Sequence, residues 1–467
     1  MKRYLILLFC FFCISGCRYY KPEISETSIP LSWKEEYPSN RIFQEKNQFW
    51  RLFEDPILNQ IEEETISANF DLQIACSRIL QARALVHKEH GVRLPRLDLS
   101  ASLNEDETLL NPRFFGSPIK HLERVNQQQY FLLLGLDYEL DLWGKLKDKE
   151  RSAHYRYVAS SWEHEFVYQT LITDVALHYF SLRTIEEELL LAQNVIDSWK
   201  DTVFLYQCLV QAGLASEIDL ARASLELALA QAEIEQIKHQ YNTEENALAA
   251  LMGKPAPDWK IAPGKLTELL PSLPVVLPSE VLLRRADIQA AQALVSAGRI
   301  DVDIAIKSYF PSFPLTADLG LSSPFLSHFF TWQARYWEYV LNAVQTLFDG
   351  GQKKAEIQRA KAQFMERFAF YQKTVTQAFK DVEDALSSFN HTALELQAQK
   401  KAIEASLSTC SLAKEQFNSG LISYLLVADS EKTSIAVKRQ ETFLKGQQIA
   451  AWIRLLKAIG IQQTKDS

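Results

Sequence analysis

Two long stretches of this 467-residue sequence contain neither glycine nor proline: Lys145 to Ala212, between Gly144 and Gly213, and Gln352 to Ser419, between Gly351 and Gly420. Nothing in either interrupts a helix, and an unbroken helix of about 68 residues is on the order of 100 Å long. No compact globular domain needs such an element. Beyond the N-terminal segment there is no run of about 18 apolar residues, which excludes a transmembrane helix. Any crossing of a bilayer then falls to β-strands. A basic excess is also missing, since the formal charge is −8, and nucleic acid is not an expected partner. Cysteines are few and lack metal-ligand spacing, so Cys76, Cys208 and Cys410 are expected to be buried apolar fillers. No Walker lysine loop and no nucleophile–base–orienter set is visible, which speaks against an enzyme. His87-Lys88-Glu89-His90, His164-Glu165 and Glu186-Glu187-Glu188 read as solvated helix ends and faces.

What fills the two stretches is a heptad pattern. Tyr168, Val175, Leu182, Leu189, Ile196, Val203 and Val210 recur every seven positions. A second column, Val375, Val382, Phe389, Leu396, Ile403, Cys410 and Phe417, lies 207 positions further on (375 minus 168). Sustained heptads require packing against other helices in coiled-coil fashion, and the equal spacing marks a duplication.

The remainder follows the same duplication. Residues 1–16 read as a lipoprotein signal peptide, with Lys2 and Arg3, an apolar core, and the quartet Ile14-Ser15-Gly16-Cys17. Cys17 is the expected lipidation site, which would anchor the chain by an N-terminal lipid. Residues 17–48 are then a polar, proline-dotted arm. A first repeat, 49–252, carries helices, a β-hairpin at about 96–142 and a long helical hairpin at 145–251. A proline-rich linker, 253–278, precedes a second repeat, 279–460, with its hairpin at about 312–347 and its helical hairpin at 352–459. A tail, 461–467, closes the chain. Ser216 is an N-cap candidate, with Asp219 at the third helical position.

Both hairpins alternate. Leu97, Leu99, Ala101 and Leu103 share one face, as do Tyr130, Leu132, Leu134, Leu136 and Tyr138. Asp98, Asp137, Glu139, Asp318 and Glu338 fall on the other and are candidate pore-lining residues, with Asp141 near them. Four strands cannot close a barrel, and open edges cannot sit in hydrocarbon. Three copies would supply twelve strands, an even number that leaves room for a channel. The expected fold is therefore mainly α with a transmembrane β-barrel: a two-fold internal repeat with long coiled coils and four strands per protomer, closing as a trimeric α/β barrel.

Several segments together resemble the TolC-type outer membrane factors, in their OprM-like lipoprotein branch: Tyr138-Glu139-Leu140-Asp141-Leu142-Trp143-Gly144-Lys145, Gly213-Leu214-Ala215-Ser216-Glu217-Ile218-Asp219, Leu283-Arg284-Arg285-Ala286-Asp287-Ile288, Phe348-Asp349-Gly350-Gly351 and Ser423-Tyr424-Leu425. The resemblance covers nearly the whole mature chain. It implies a homotrimeric exit duct through periplasm and outer membrane, docked on a periplasmic adaptor protein and an inner-membrane transporter. It places the periplasmic closure near the tip turns Gly213 and Gly420 and assigns Asp219 and Asp429 to it. Leu426 and Ile422 stand where TolC has an aspartate and an arginine, so the gate is expected to be partly apolar, with Leu426 and Tyr424 as plug candidates. The competing reading from the residues is a structural lipoprotein scaffold of coiled coils without a pore.

Overall fold

The computed structural model describes residues 30, 32–35, 48–110, 123–267, 270–271 and 278–460. The lipidation candidate Cys17, most of the arm, the first hairpin tip and the tail lie outside them. After a 3-10 turn at Phe49–Phe53, α1 (Pro56–Ala68) and α2 (Phe70–Gly91) lead into β1 (Arg96–Leu110) and β2 (Glu123–Glu139). Then come α3 (Lys145–Gln211) and α4 (Glu217–Leu251). The second repeat supplies α5 (Pro278–Arg284), α6 (Ala286–Lys307), β3 (Pro314–Ser323), β4 (Arg335–Leu341), α7 (Gln352–Asn418) and α8 (Tyr424–Ile459). The two stretches without helix breakers are single helices of 67 residues each.

Each long helix begins immediately after a glycine with left-handed backbone, Gly144 (φ +69°) and Gly351 (φ +89°). Carboxylates satisfy the first amides: Asp141 accepts from Lys147 N at 2.8 Å, and Asp349 from Gly351 N and Lys353 N at 2.9 and 3.0 Å. Those backbone donors hold the Asp349 carboxyl below its ordinary range. Asp141 is thus a helix cap.

The four strands form one antiparallel sheet in the order β1-β2-β3-β4. Gly320 lies so close to β2 that a Cβ there would stand 1.9 Å from the Leu132 carbonyl oxygen. Beyond Leu341 the ladder continues through Asn342 N to the Pro314 carbonyl at 3.0 Å and an isolated bridge between Ser312 and Val344.

The compact units cut across the repeats. One comprises Ile79–Ala159 and Ala291–Phe370, so it holds both hairpins with the adjoining helix ends; the other holds the described parts of Glu26–Arg78, Ser160–Ala290 and Tyr371–Ser467. The second unit has the larger core, where Trp50, Leu58, Ile172, Tyr179, Val382, Trp452 and Ile453 are buried together. Heptad residues Val175, Leu182, Val375 and Val382 are buried in it as expected, and Ile196 is buried in a separate cluster with Trp199, Ala223 and Ile234. Arg183 is fully buried, lying over the Tyr179 ring at 4.6 Å and donating to Glu186 (2.7 Å) and to the Ala262 carbonyl (2.9 Å).

Two expectations fail. Cys76 and Cys208 are exposed and Cys410 is half-buried, because Cys208 and Cys76 sit on outward helix faces. Glu165 is buried and accepts from Gln169 at 2.9 Å, and Glu186 partners Arg183, so these carboxylates are not solvated. His87 and His90 are exposed at the end of α2, the solvated helix end expected, with His90 bonding Glu150 at 2.9 Å.

Candidate functional site

The sheet register decides which side chains share a face. Asp98 lies opposite Gly135, Gly135 opposite Asp318, and Asp318 opposite Glu338, forming one row across all four strands. The adjacent row runs from Arg96 through Asp137 and Thr316 to Val340, and Glu139 follows at the end of β2. All five candidate carboxylates therefore occupy one face, clustered at the end where the helices attach. Gly135 leaves the row open, since a Cβ there would meet Asp318 Oδ1 at 3.0 Å.

Sequence alternation missed two properties of this face. Arg96 shares it and pairs with Asp98 at 2.7 Å, offsetting part of the negative charge. Further along, Leu133, Phe131 and Tyr336 interrupt the polar character, with Phe131 and Tyr336 edge to face at 6.5 Å. Nearer the hairpin ends it is polar again: Gln129 donates to Ser322 at 2.6 Å. The face therefore grades from acidic to aromatic to neutral polar.

The opposite face is apolar and uncovered. Leu99, Leu134, Leu319 and Trp337 form one row across it, and Leu99 and Trp337 are 74% and 71% exposed. Trp337 stacks on Tyr339 at 6.2 Å. A contiguous apolar surface of this kind is what a lipid-facing sheet presents.

The second candidate region is at the helical tips. Gly213 (φ +72°) and Gly420 (φ +74°) both adopt the left-handed conformation. At each, the glycine amide bonds three residues back and the next amide five residues back: Gly213 to Val210 and Leu214 to Leu209, Gly420 to Phe417 and Leu421 to Gln416. This is the Schellman stop in both repeats. Ser216 Oγ caps α4 by accepting from Ile218 N at 3.1 Å, and Asp219 stands partly buried in the first turn.

Ser423 makes no such cap. Instead the Leu425 amide donates to the hydroxyl of buried Tyr206, on α3, at 3.1 Å. The heptad contained Tyr206 but gave no sign of this second role. Ile422, Leu426 and Asp429 line one groove of about 450 Å³ together with residues of α7 such as Leu412 and Gln416. Tyr424 turns away from it and packs on Phe417, ring centres 5.1 Å apart. Farther from the tips, Arg285 clasps Asp287 (2.7 Å), Asp381 (3.2 Å) and the Ala458 carbonyl (3.3 Å), tying α6 to α7 and α8. Among the described residues no group of three or more His, Cys, Asp or Glu could hold a metal.

A sheet with one bare apolar face, one carboxylate face and two open edges, joined to coiled coils, defines a membrane channel subunit. The outer membrane efflux protein family profile matches residues 63–254 and 277–461, and the chain belongs to that family. It is 26% identical to the "Probable outer membrane lipoprotein SilC" of Salmonella typhimurium over 98% of each chain. With the "Solvent efflux pump outer membrane protein SrpC" of Pseudomonas putida it shares 29% identity over 87% of this chain and 86% of that one. Among solved structures it is similar to the outer-membrane channel OprN, with a TM-score of 0.85 and 25% identity over 96% of this chain and 99% of that one. The protein is accordingly an outer membrane efflux channel protein, and the family's role is transport.

Proposed function

We propose that the chain is the passive exit duct of a tripartite efflux or type I secretion system, carrying drugs or other substrates across periplasm and outer membrane. The observation that carries this is the sheet. Among the described residues β1 and β4 each have one edge without a strand neighbour, and those backbone groups need partners in hydrocarbon. Three copies joined β4 to β1 would bring twelve strands together, apolar face outward to lipid and Asp98, Asp318 and Glu338 inward. The pore would favour cations at its helix end.

The long helices would form the periplasmic wall, with Gly213 and Gly420 at its tip. Ile422, Leu426, Asp429 and, on the neighbouring turn, Asp219 would form the gate, with Tyr424 bracing it from behind. A lipid on Cys17 would anchor the chain to the outer membrane, with no other cofactor. A periplasmic adaptor and an inner-membrane transporter would supply recognition and energy.

The test is the mass of the detergent-extracted, unheated protein by light scattering, followed by single-channel recording. A trimer with cation-over-anion permeability is expected. A folded, monodisperse monomer would overturn the duct and leave a coiled-coil lipoprotein scaffold in its place.

A further inference from the structure

We infer that the helix end of the sheet carries a docking belt for anionic phospholipid headgroups. This inference rests on the duct reading, since it takes the bare apolar face as the lipid face. In the antiparallel register Arg96 lies opposite Asp137, Glu139 opposite Pro314, and Leu315 opposite Leu341. The start of β1, the end of β2, the start of β3 and the end of β4 therefore share one level. All four helix connections leave the sheet there, within one compact unit. No helix of the described residues is long and apolar enough to cross a membrane, so this level is where hydrocarbon gives way to headgroups.

The connections after β2 and β4 each carry exposed apolar residues followed within a few positions by lysines, and an exposed leucine precedes β1. Leu94 precedes β1 and is 54% exposed; Leu142 follows β2 at 62%; Leu347 and Phe348 follow β4 at 95% and 89%. They leave large apolar side chains exposed at the helix end of the sheet. Directly after them come Lys145 and Lys147 on α3 and Lys354 on α7. Three nearby carboxylates are already engaged: Asp148 with Arg151 and Lys307, Glu150 with Arg93 and His90, and Asp98 with Arg96. Asp137 and Glu139, at the same level, lie on the sheet face opposite the apolar one. Asp141 and Asp349 accept backbone amides. Lys145, Lys147 and Lys354 have no carboxylate partner among the described residues, and Lys147 and Lys354 are exposed.

Apolar side chains at the acyl boundary with unpaired ammonium groups one step beyond match a phosphodiester headgroup, apolar below and anionic above. Zwitterionic lipid offers the same phosphodiester but carries its own ammonium beside it, which repels the lysines and weakens the match. The occupant is therefore an anionic glycerophospholipid of the leaflet on the helix side.

The test uses the full-length protein, extracted without heating and placed in bilayer discs of phosphatidylcholine with a minority of phosphatidylglycerol. Lipids retained after partial delipidation are counted by native mass spectrometry. The wild-type trimer should retain phosphatidylglycerol at least about threefold above its share of the bilayer, less so at high salt. K145Q/K147Q/K354Q should lose the enrichment, and K145R/K147R/K354R should keep it. A wild-type trimer without enrichment, or a glutamine variant that keeps it, overturns the belt and leaves the duct standing. A glutamine variant that falls to monomers while the arginine variant stays assembled makes the lysines subunit contacts, which also overturns the belt. A wild-type monomer overturns the duct and the belt together.

Discussion

At the scale of single residues, the most unusual group is Glu62 on α1. It is fully buried and neither carboxylate oxygen has a hydrogen-bond partner among the described residues. Desolvation pushes its carboxyl well above the ordinary range, because the ion would lose water and gain nothing. Burial, with the nearby Glu165 and Glu62 charges, also pushes the neighbouring Tyr168 up to about 12. The sign of the pH effect follows. A carboxyl with a raised folded pKa binds its proton more tightly when folded, so its contribution falls as pH rises from the unfolded value through the raised one. Glu62→Leu should raise the unfolding midpoint at pH 8, by a free energy of about 1–3 kcal/mol, and by much less at pH 5. Thermal unfolding followed by circular dichroism at both values checks this, and an equal shift at the two would refute a titrating Glu62.

Two glycines make a second contrast at this scale. Gly213 has φ +72° with open space around it, so alanine there should cost only about 1–2 kcal/mol of local strain at the tip. Gly320 has ordinary backbone but sits against the β2 main chain. Gly320→Ala should separate β2 from β3 and abolish assembly, read as loss of the high-mass species, while Gly213→Ala should leave that mass unchanged.

At the scale of elements, α3 and α8 are joined near their tips by a specific backbone bond. The Tyr206 hydroxyl accepts the Leu425 amide that no side chain of α8 satisfies. Tyr206→Phe keeps the buried ring and removes that acceptor, so the first turn of α8 should fray. Hydrogen exchange at Leu425 should accelerate by about tenfold, the equivalent of one hydrogen bond of about 1.4 kcal/mol. Because Leu426 and Asp429 lie within the next turn and a half, mean channel conductance should rise in the same variant. The sheet is the other decisive element. D98N/D318N/E338Q removes one whole row of charge from a single face, and the cation-to-anion permeability ratio should drop toward unity without change in assembled mass. An unchanged ratio would place the selectivity elsewhere.

At the scale of the whole molecule, a four-stranded sheet with an uncovered apolar face is not a finished structure in water. Its natural completion is lipid on one side and further copies at its edges. Disrupting one edge should therefore act on assembly before it acts on the helices. Tyr339→Pro, in the outermost strand, should leave helical circular dichroism nearly intact and convert the extracted protein to monomers. Loss of both signals together would show that helices and sheet fold as one unit.

Much of this was legible in the sequence because it depends on local periodicity. The absence of glycine and proline from 145–212 and 352–419 allowed single helices, the heptads named their buried stripes, and the 207-residue spacing exposed the repeat. Alternation sorted Asp98, Asp137, Glu139, Asp318 and Glu338 from the apolar residues, since a strand has only two faces. Periodicity is blind to what meets across the fold. It did not show that register would align Asp98 with Asp318 and Glu338, that Arg96 would offset part of their charge, or that Phe131 and Tyr336 would share their face. Nor did it show that Tyr206 would cap α8, that Tyr424 would turn from Leu426 toward Phe417, or that Glu62 would be buried without a partner. Those outcomes depend on which residues of distant segments come within a few ångströms, and only tertiary packing decides that.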